Sequence, residues 1–166
     1  WGYATTSGAQ DCIINYSIPF TQSNYPINIT LDGTGATDSV LHYSLFNKDK
    51  TTLIQYPINK ADKEYSIPNT VNTIGEYSFA QGLNLNKIII PNSVITIETA
   101  AFNSCTNLTS ADLPHTIINI GESAFMHCRS LTSVIIPDNV TNISKWAFGE
   151  CRSLQTLTIG NNVTII

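Results

Sequence analysis

From Ile74 to Ile166 the chain repeats itself every 23 residues without an insertion. Each of the four blocks begins with isoleucine and carries an aromatic ring, a leucine and two further aliphatic residues at fixed places. These columns are Ile74, Ile97, Ile120 and Ile143; Phe79, Phe102, Phe125 and Phe148; Leu85, Leu108, Leu131 and Leu154; Ile90, Leu113, Ile136 and Ile159; and Val94, Ile117, Val140 and Val163. A fixed period of this length is typical of a solenoid, in which each repeat forms one coil that stacks on the next.

Each block contains a short segment with strand alternation. In the third block, Leu131, Val134 and Ile136 are predicted to point inward, while Ser133 and Ile135 point to solvent. The next residue in the first three blocks is a proline, which ends the strand because it has no N–H to donate.

The rest of the block predicts a second side of the coil and a turn. Val140-x-x-Ile143 indicates another short extended piece on the opposite side. The small residue before each phenylalanine, as in Ser123-Ala124-Phe125, predicts a compact turn or a short 3₁₀ segment where the backbone passes closely.

Two segments precede the four repeats of residues 74–166. Residues 39–73 are predicted to form a hairpin, from Val40–Asn47 and Thr52–Pro57, followed by a degenerate capping half-repeat in which Tyr56 stands one period before Phe79. Residues 1–38 show no repeat and are interpreted as a β-rich cap, because strand-like runs occur at Cys12–Ile18 and Ile27–Leu31.

The repeat resembles the BspA-type (Treponema pallidum-type) leucine-rich repeat. The motif is Ile-Gly-x-x-Ala-Phe-x-x-Cys-x-x-Leu-x-x-Val-x-Ile-Pro-x-x-Val, and Ile120–Val140 follows it throughout. The hairpin region also resembles one that is found between repeats in that family, so the resemblance covers about residues 40–166. It implies a β-rich leucine-rich-repeat solenoid, of the α/β superhelix class with short 3₁₀ or helical turns, and cell-surface or secreted proteins that bind host or matrix proteins. It implies no common catalytic residues.

Composition favours an extracellular protein with a weakly charged surface. A net charge of −4 and a pI near 5.1 argue against nucleic acid or a polybasic membrane surface as partner. No apolar run reaches membrane-spanning length. Because the chain begins with Trp1 and has a single methionine, we expect a processed product, a fragment or an engineered chain. We also expect the repeat array to be incomplete at its C-terminal end, because Ile166 occupies the column of Ile143, where a further block would begin. N-glycosylation sequons occur at Asn15, Asn28, Asn107, Asn139, Asn142 and Asn162.

Residue types that commonly carry chemistry have structural interpretations here. Cys105, Cys128 and Cys151 share one column with Gly82, which favours reduced, buried thiols that pack as small apolar groups, since stacked side chains point in parallel and are poorly placed to bridge. His127 lies in a variable column and is expected to be exposed, and no two histidines have metal-ligand spacing. No serine, histidine or carboxylate is singled out as a nucleophile or base. We therefore predict no metal, no cofactor and no enzyme activity.

The solvent face of the strands is the candidate binding surface, and in a curved solenoid it forms a concave ladder. The residues predicted to project from it are Lys87, Ile89, Ser110, Asp112, Ser133, Ile135, Thr156 and Thr158. The predicted function is non-catalytic binding or adhesion to a protein or glycan on a host, matrix or neighbouring cell. The alternative is a structural subunit that assembles head-to-tail into an extracellular filament, with a neighbouring copy covering the open C-terminal coil.

Overall fold

The computed structural model describes residues 30–32, 44–57 and 60–165. These residues form short strands joined by hydrogen-bonded turns, and no helix is present among them. The strands are β1 (Thr30–Asp32), β2 (Ser44–Phe46), β3 (Thr52–Gln55), β4 (Glu64–Ser66), β5 (Thr73–Ile74), β6 (Lys87–Ile89), β7 (Thr96–Ile97), β8 (Ser110–Asp112), β9 (Asn119–Ile120), β10 (Ser133–Ile135) and β11 (Thr156–Thr158).

The strands build two sheets on opposite sides of a solenoid, which confirms the predicted fold class. Sheet A has the order β1-β2-β3-β5-β7-β9, and sheet B has the order β11-β10-β8-β6-β4. Each strand pairs in parallel with the equivalent strand of the next coil, so that paired residues are one repeat apart in the sequence. Examples are Thr73↔Thr96 of sheet A and Lys87↔Ser110 of sheet B. The period read in the sequence is therefore the step from one coil to the next.

A ladder of aromatic rings fills the space between the sheets. Phe79, Phe102 and Phe125 are fully buried, and their ring centroids follow one another at 4.8 and 4.9 Å with nearly parallel planes. Tyr56 extends the ladder at 5.0 Å from Phe79, as its place one period earlier predicts. The isoleucine, leucine and valine columns surround the ladder. Each coil therefore buries its apolar residues against copies of the same residues in its neighbours.

The predicted hairpin is present at the first coil. β2 and β3 pair in antiparallel fashion, and β1 pairs with the outer edge of β2. Asn47 holds the tip, because its Oδ1 accepts hydrogen bonds from the N–H groups of Thr51 and Thr52 at 2.8 and 2.9 Å. The predicted strand at Cys12–Ile18 lies outside the described residues.

The sequence predicted either a compact turn or a short 3₁₀ segment around each phenylalanine, and the structure has the compact turn. In the third block, the N–H of Met126 donates to Ser123 O at 3.0 Å and that of Cys128 to Phe125 O at 3.2 Å. Two positions in every repeat hold a non-glycine residue in the left-handed region, with φ between 52° and 62°. These positions are Tyr77, Ala100, Ser123 and Trp146 in one column and Gln81, Ser104, His127 and Glu150 in the other. No sequence signal predicted them, because glycine is absent from both columns.

Candidate binding face

The outward side of sheet B carries all eight residues predicted for the binding face. Two rows of side chains cross the five strands, since residues on either side of an inward-pointing central residue face solvent. The first row is Glu64, Lys87, Ser110, Ser133 and Thr156, and the second row is Ser66, Ile89, Asp112, Ile135 and Thr158. Ser110 is half-buried and the other nine residues are exposed.

Sequence reasoning missed the two members of this face that come from β4. Glu64 and Ser66 pair in register with Lys87 and Ile89. Their signal was the 23-residue step from Tyr65 to Ile88, which aligns the whole of β4 with β6. The degenerate coil therefore extends the same face by one strand.

Charge on this face is sparse and unevenly paired. Lys87 Nζ lies 3.6 Å from Glu64 Oε1, so these two opposite charges form an exposed ion pair. Asp112, on the central strand β8, makes no ion pair and accepts no hydrogen bond from any residue in the described part of the chain. The apolar members, Ile89 and Ile135, are 40% and 66% exposed.

Sheet A carries a polar groove of about 410 Å³ that the sequence analysis did not anticipate. Thr96, Asn119 and Asn142 line it together with Glu98. The Glu98 carboxylate turns toward the preceding coil, where Oε2 accepts a hydrogen bond from the N–H of Glu76 at 3.0 Å. Gly121 packs its main chain directly against that of Glu98 and Thr99 in the preceding coil, where a Cβ would not fit.

The cysteine column is buried, as predicted. Cys105 and Cys128 are fully buried free thiols, and Cys151 is half-buried. Each Sγ–H donates to a phenylalanine carbonyl of the preceding coil at 3.1–3.2 Å. Burial raises the pKa of Cys105 to about 12 and that of Cys151 to about 11, and it raises the pKa of Cys128 as well. A thiol that stays protonated is a poor nucleophile and metal ligand.

The prediction that His127 is exposed was wrong. Its ring is half-buried, and Nδ1 is fully buried with no hydrogen-bond partner in the described structure. The left-handed backbone does not explain this burial, because Gln81 and Glu150 have the same backbone conformation in their repeats and are exposed. His115 lies exposed in a turn. Among residues 44–57 and 60–165, no three side chains of the metal-ligating types lie together.

The sequon asparagines differ in what their amides do. Asn107 and Asn139 donate from Nδ2 to main-chain carbonyls of the preceding coil at 2.6 Å, and Asn162 does so at 2.9 Å. Asn142 is exposed, and its side chain makes no hydrogen bond within the described region. Asn15 and Asn28 lie outside the described residues. A glycan at Asn142 would thus displace no native hydrogen bond, whereas the other three amides help to join the coils.

Comparison with protein families gives a match over most of the chain. The family described as BspA type leucine rich repeat region matches residues 59–166 in six copies. No curated protein matches the chain. In the described part of the chain, no helix has the length and apolarity needed to cross a bilayer.

Solved structures of bacterial leucine-rich repeat proteins resemble this chain. A leucine-rich repeat protein of Bacteroides capillosus is 26% identical with a TM-score of 0.62, and the match covers 74% of this chain and 96% of that one. A protein of Eubacterium ventriosum is 28% identical with a TM-score of 0.55, covering 70% and 38%. A leucine rich cell surface protein of Faecalibacterium prausnitzii is 25% identical with a TM-score of 0.57, also covering 70% and 38%. The chain thus spans less than two fifths of the latter two proteins.

Proposed function

Because this chain belongs to the BspA-type leucine-rich repeat family, we propose that it is a non-catalytic binding module of an extracellular or cell-surface protein. Its ligand is a protein or glycan on a host, on matrix or on a neighbouring cell, and the outward face of sheet B holds it. The observation that carries the proposal is the exposure of both side-chain rows across five paired strands. Repeat arrays bind partners through extended surfaces of this kind.

The chemistry of the face supports binding. Half of its ten side chains are serine or threonine hydroxyls, two are exposed isoleucines and three are charged. Such groups contribute hydrogen bonds and apolar contact area over a broad surface. No described residue on the face combines a nucleophile with a base at hydrogen-bond distance, which nucleophilic catalysis requires. The cell-surface description of the Faecalibacterium prausnitzii relative supports the proposed location.

The test compares two double variants that place charge on opposite sheets. Ser133→Arg with Thr156→Arg changes the face of sheet B, and Ile118→Arg with Asn119→Arg changes exposed residues that line the groove of sheet A. Both variants add two positive charges. Binding to immobilised matrix proteins and to a glycan array is measured by interferometry and fluorescence for each variant and for the unmodified chain.

We expect the sheet B variant to lose binding and the sheet A variant to keep it. Equal binding by all three proteins would refute the proposed face, and selective loss in the sheet A variant would transfer the function to the groove. Sedimentation velocity on the same samples tests the filament alternative, which requires the mass to grow with protein concentration.

A further inference from the structure

We propose that the second row of sheet B binds a helix that presents a basic side chain between two apolar ones. The central part of that row is Ile89, Asp112 and Ile135. This inference rests on the proposed function, since it names the partner chemistry that the same face accepts.

The order of these three side chains sets a pattern of apolar, acidic and apolar groups. Ile89 lies opposite Asp112 in the parallel pairing of β6 and β8, and the pairing of Ser110 with Ser133 puts Ile135 level with Asp112. Neighbouring strands are about 4.8 Å apart, so the two isoleucines are about 9.6 Å apart with the carboxylate midway between them. All three side chains are exposed.

Asp112 is the member of this row that can pair with a cation. It has no partner in the described structure, and the lysine on the adjacent strand, Lys87, is already paired with Glu64 at 3.6 Å. Lys87 and Glu64 are the other charged residues among the ten that form the face. No positively charged side chain of the face is therefore left to pair with Asp112. An ammonium or guanidinium group flanked by apolar atoms on both sides would complement the row.

The spacing favours a helix that lies across the strands over an extended segment. Residues i and i+7 of a helix lie on one face about 10.5 Å apart, which is close to the separation of Ile89 and Ile135. A lysine or arginine at i+3 or i+4 then falls between them, level with Asp112. In an extended segment, side chains on one face recur about every 6.8 Å, which does not match strands about 4.8 Å apart.

The experiment uses the whole chain and a defined probe. The probe is a synthetic alanine-rich helical peptide with leucine at i and i+7 and arginine at i+4, joined to a fluorophore. Two further peptides have glutamate in place of the arginine or the second leucine moved to i+2. Affinity is measured by fluorescence anisotropy for the unmodified chain, Asp112→Asn, Asp112→Lys and Ile135→Ser. Glu122→Gln is the control, since it removes a negative charge from an exposed residue outside sheet B.

We expect the arginine peptide to bind more tightly than either altered peptide. Asp112→Asn should weaken its binding roughly fivefold, and Asp112→Lys or Ile135→Ser at least about tenfold, while Glu122→Gln leaves it unchanged. Equal affinity of the arginine and glutamate peptides, or no binding of the arginine peptide, overturns the inference.

The double variants described above separate this result from the proposed function. If matrix or glycan binding depends on Ser133 and Thr156 while Asp112→Lys has no effect on any ligand, the face stands and only its partner chemistry is wrong. If Ser133→Arg with Thr156→Arg leaves the matrix and glycan ligands bound, the proposed function of the face is wrong, whatever the peptide shows.

Discussion

Replacing Ser123 with glycine should stabilise this protein, although glycine substitutions usually destabilise. Ser123 has φ of 56°, in the left-handed region, and its side chain makes no hydrogen bond in the described structure. A non-glycine residue in the left-handed region raises the free energy of the folded state by about 1–2 kcal/mol. Glycine removes this strain, but it loses about 0.5–1 kcal/mol more backbone entropy on folding. The free energy of unfolding should therefore rise by about 0.5–1 kcal/mol.

The same substitution elsewhere in the repeat gives a matched control of opposite sign. Ser133 is an exposed residue of strand β10, where φ is extended and glycine gains nothing, so Ser133→Gly should lower the free energy of unfolding by about 0.5–1 kcal/mol. Urea and thermal unfolding followed by circular dichroism measure both changes, and each kcal/mol moves Tm by about 2–4 °C. If Ser123→Gly destabilises as much as Ser133→Gly, the left-handed turn is not the source of the difference and the reasoning fails.

Three further substitutions test the packing of the coils. Gly121→Ala should lower the free energy of unfolding by about 3 kcal/mol or more, because the added Cβ would lie 2.5 Å from the main-chain carbonyl carbon of Glu98. Gly82→Ala is the control, since its Cβ enters the cysteine column, and thermal unfolding should show a much smaller loss of stability. Phe102→Ala should cost about 3–5 kcal/mol in urea unfolding, since a fully buried ring stacked on both sides is removed, and a loss below about 1 kcal/mol would contradict the ladder. Cys105 has a pKa of about 12 when folded against 9.0 as its ordinary value, so the folded state holds its proton and stability falls as pH rises from about 9 to 12. Between pH 8 and 10.5, Cys105→Ala should lose about 2 kcal/mol less stability than the unmodified chain, and equal losses would refute this.

The candidate face followed from the sequence because strand alternation assigns each residue of a short strand to one side. The positions of Lys87, Ser133 and Ile135 were predictable once Val134 and Ile136 were placed in the core. Their interactions were not predictable. Lys87 pairs with Glu64, while Asp112 has no partner among the described residues, and this difference depends on which side chains meet across neighbouring coils.

The sequence alone determined the period, the columns of the core and the register between coils. A stack of similar coils is stable only if each inward side chain meets its own equivalent one period away, so Phe79, Phe102 and Phe125 had to form one ladder. The tertiary structure decided what coil closure requires of the backbone and of the polar groups between coils. In the folded chain, Ser123 and His127 adopt left-handed backbone angles, and the Asn107 amide donates a hydrogen bond to a carbonyl of the preceding coil. Closing a coil within 23 residues fixes the backbone dihedral angles whatever the side chain, and such a constraint leaves no residue pattern in the sequence.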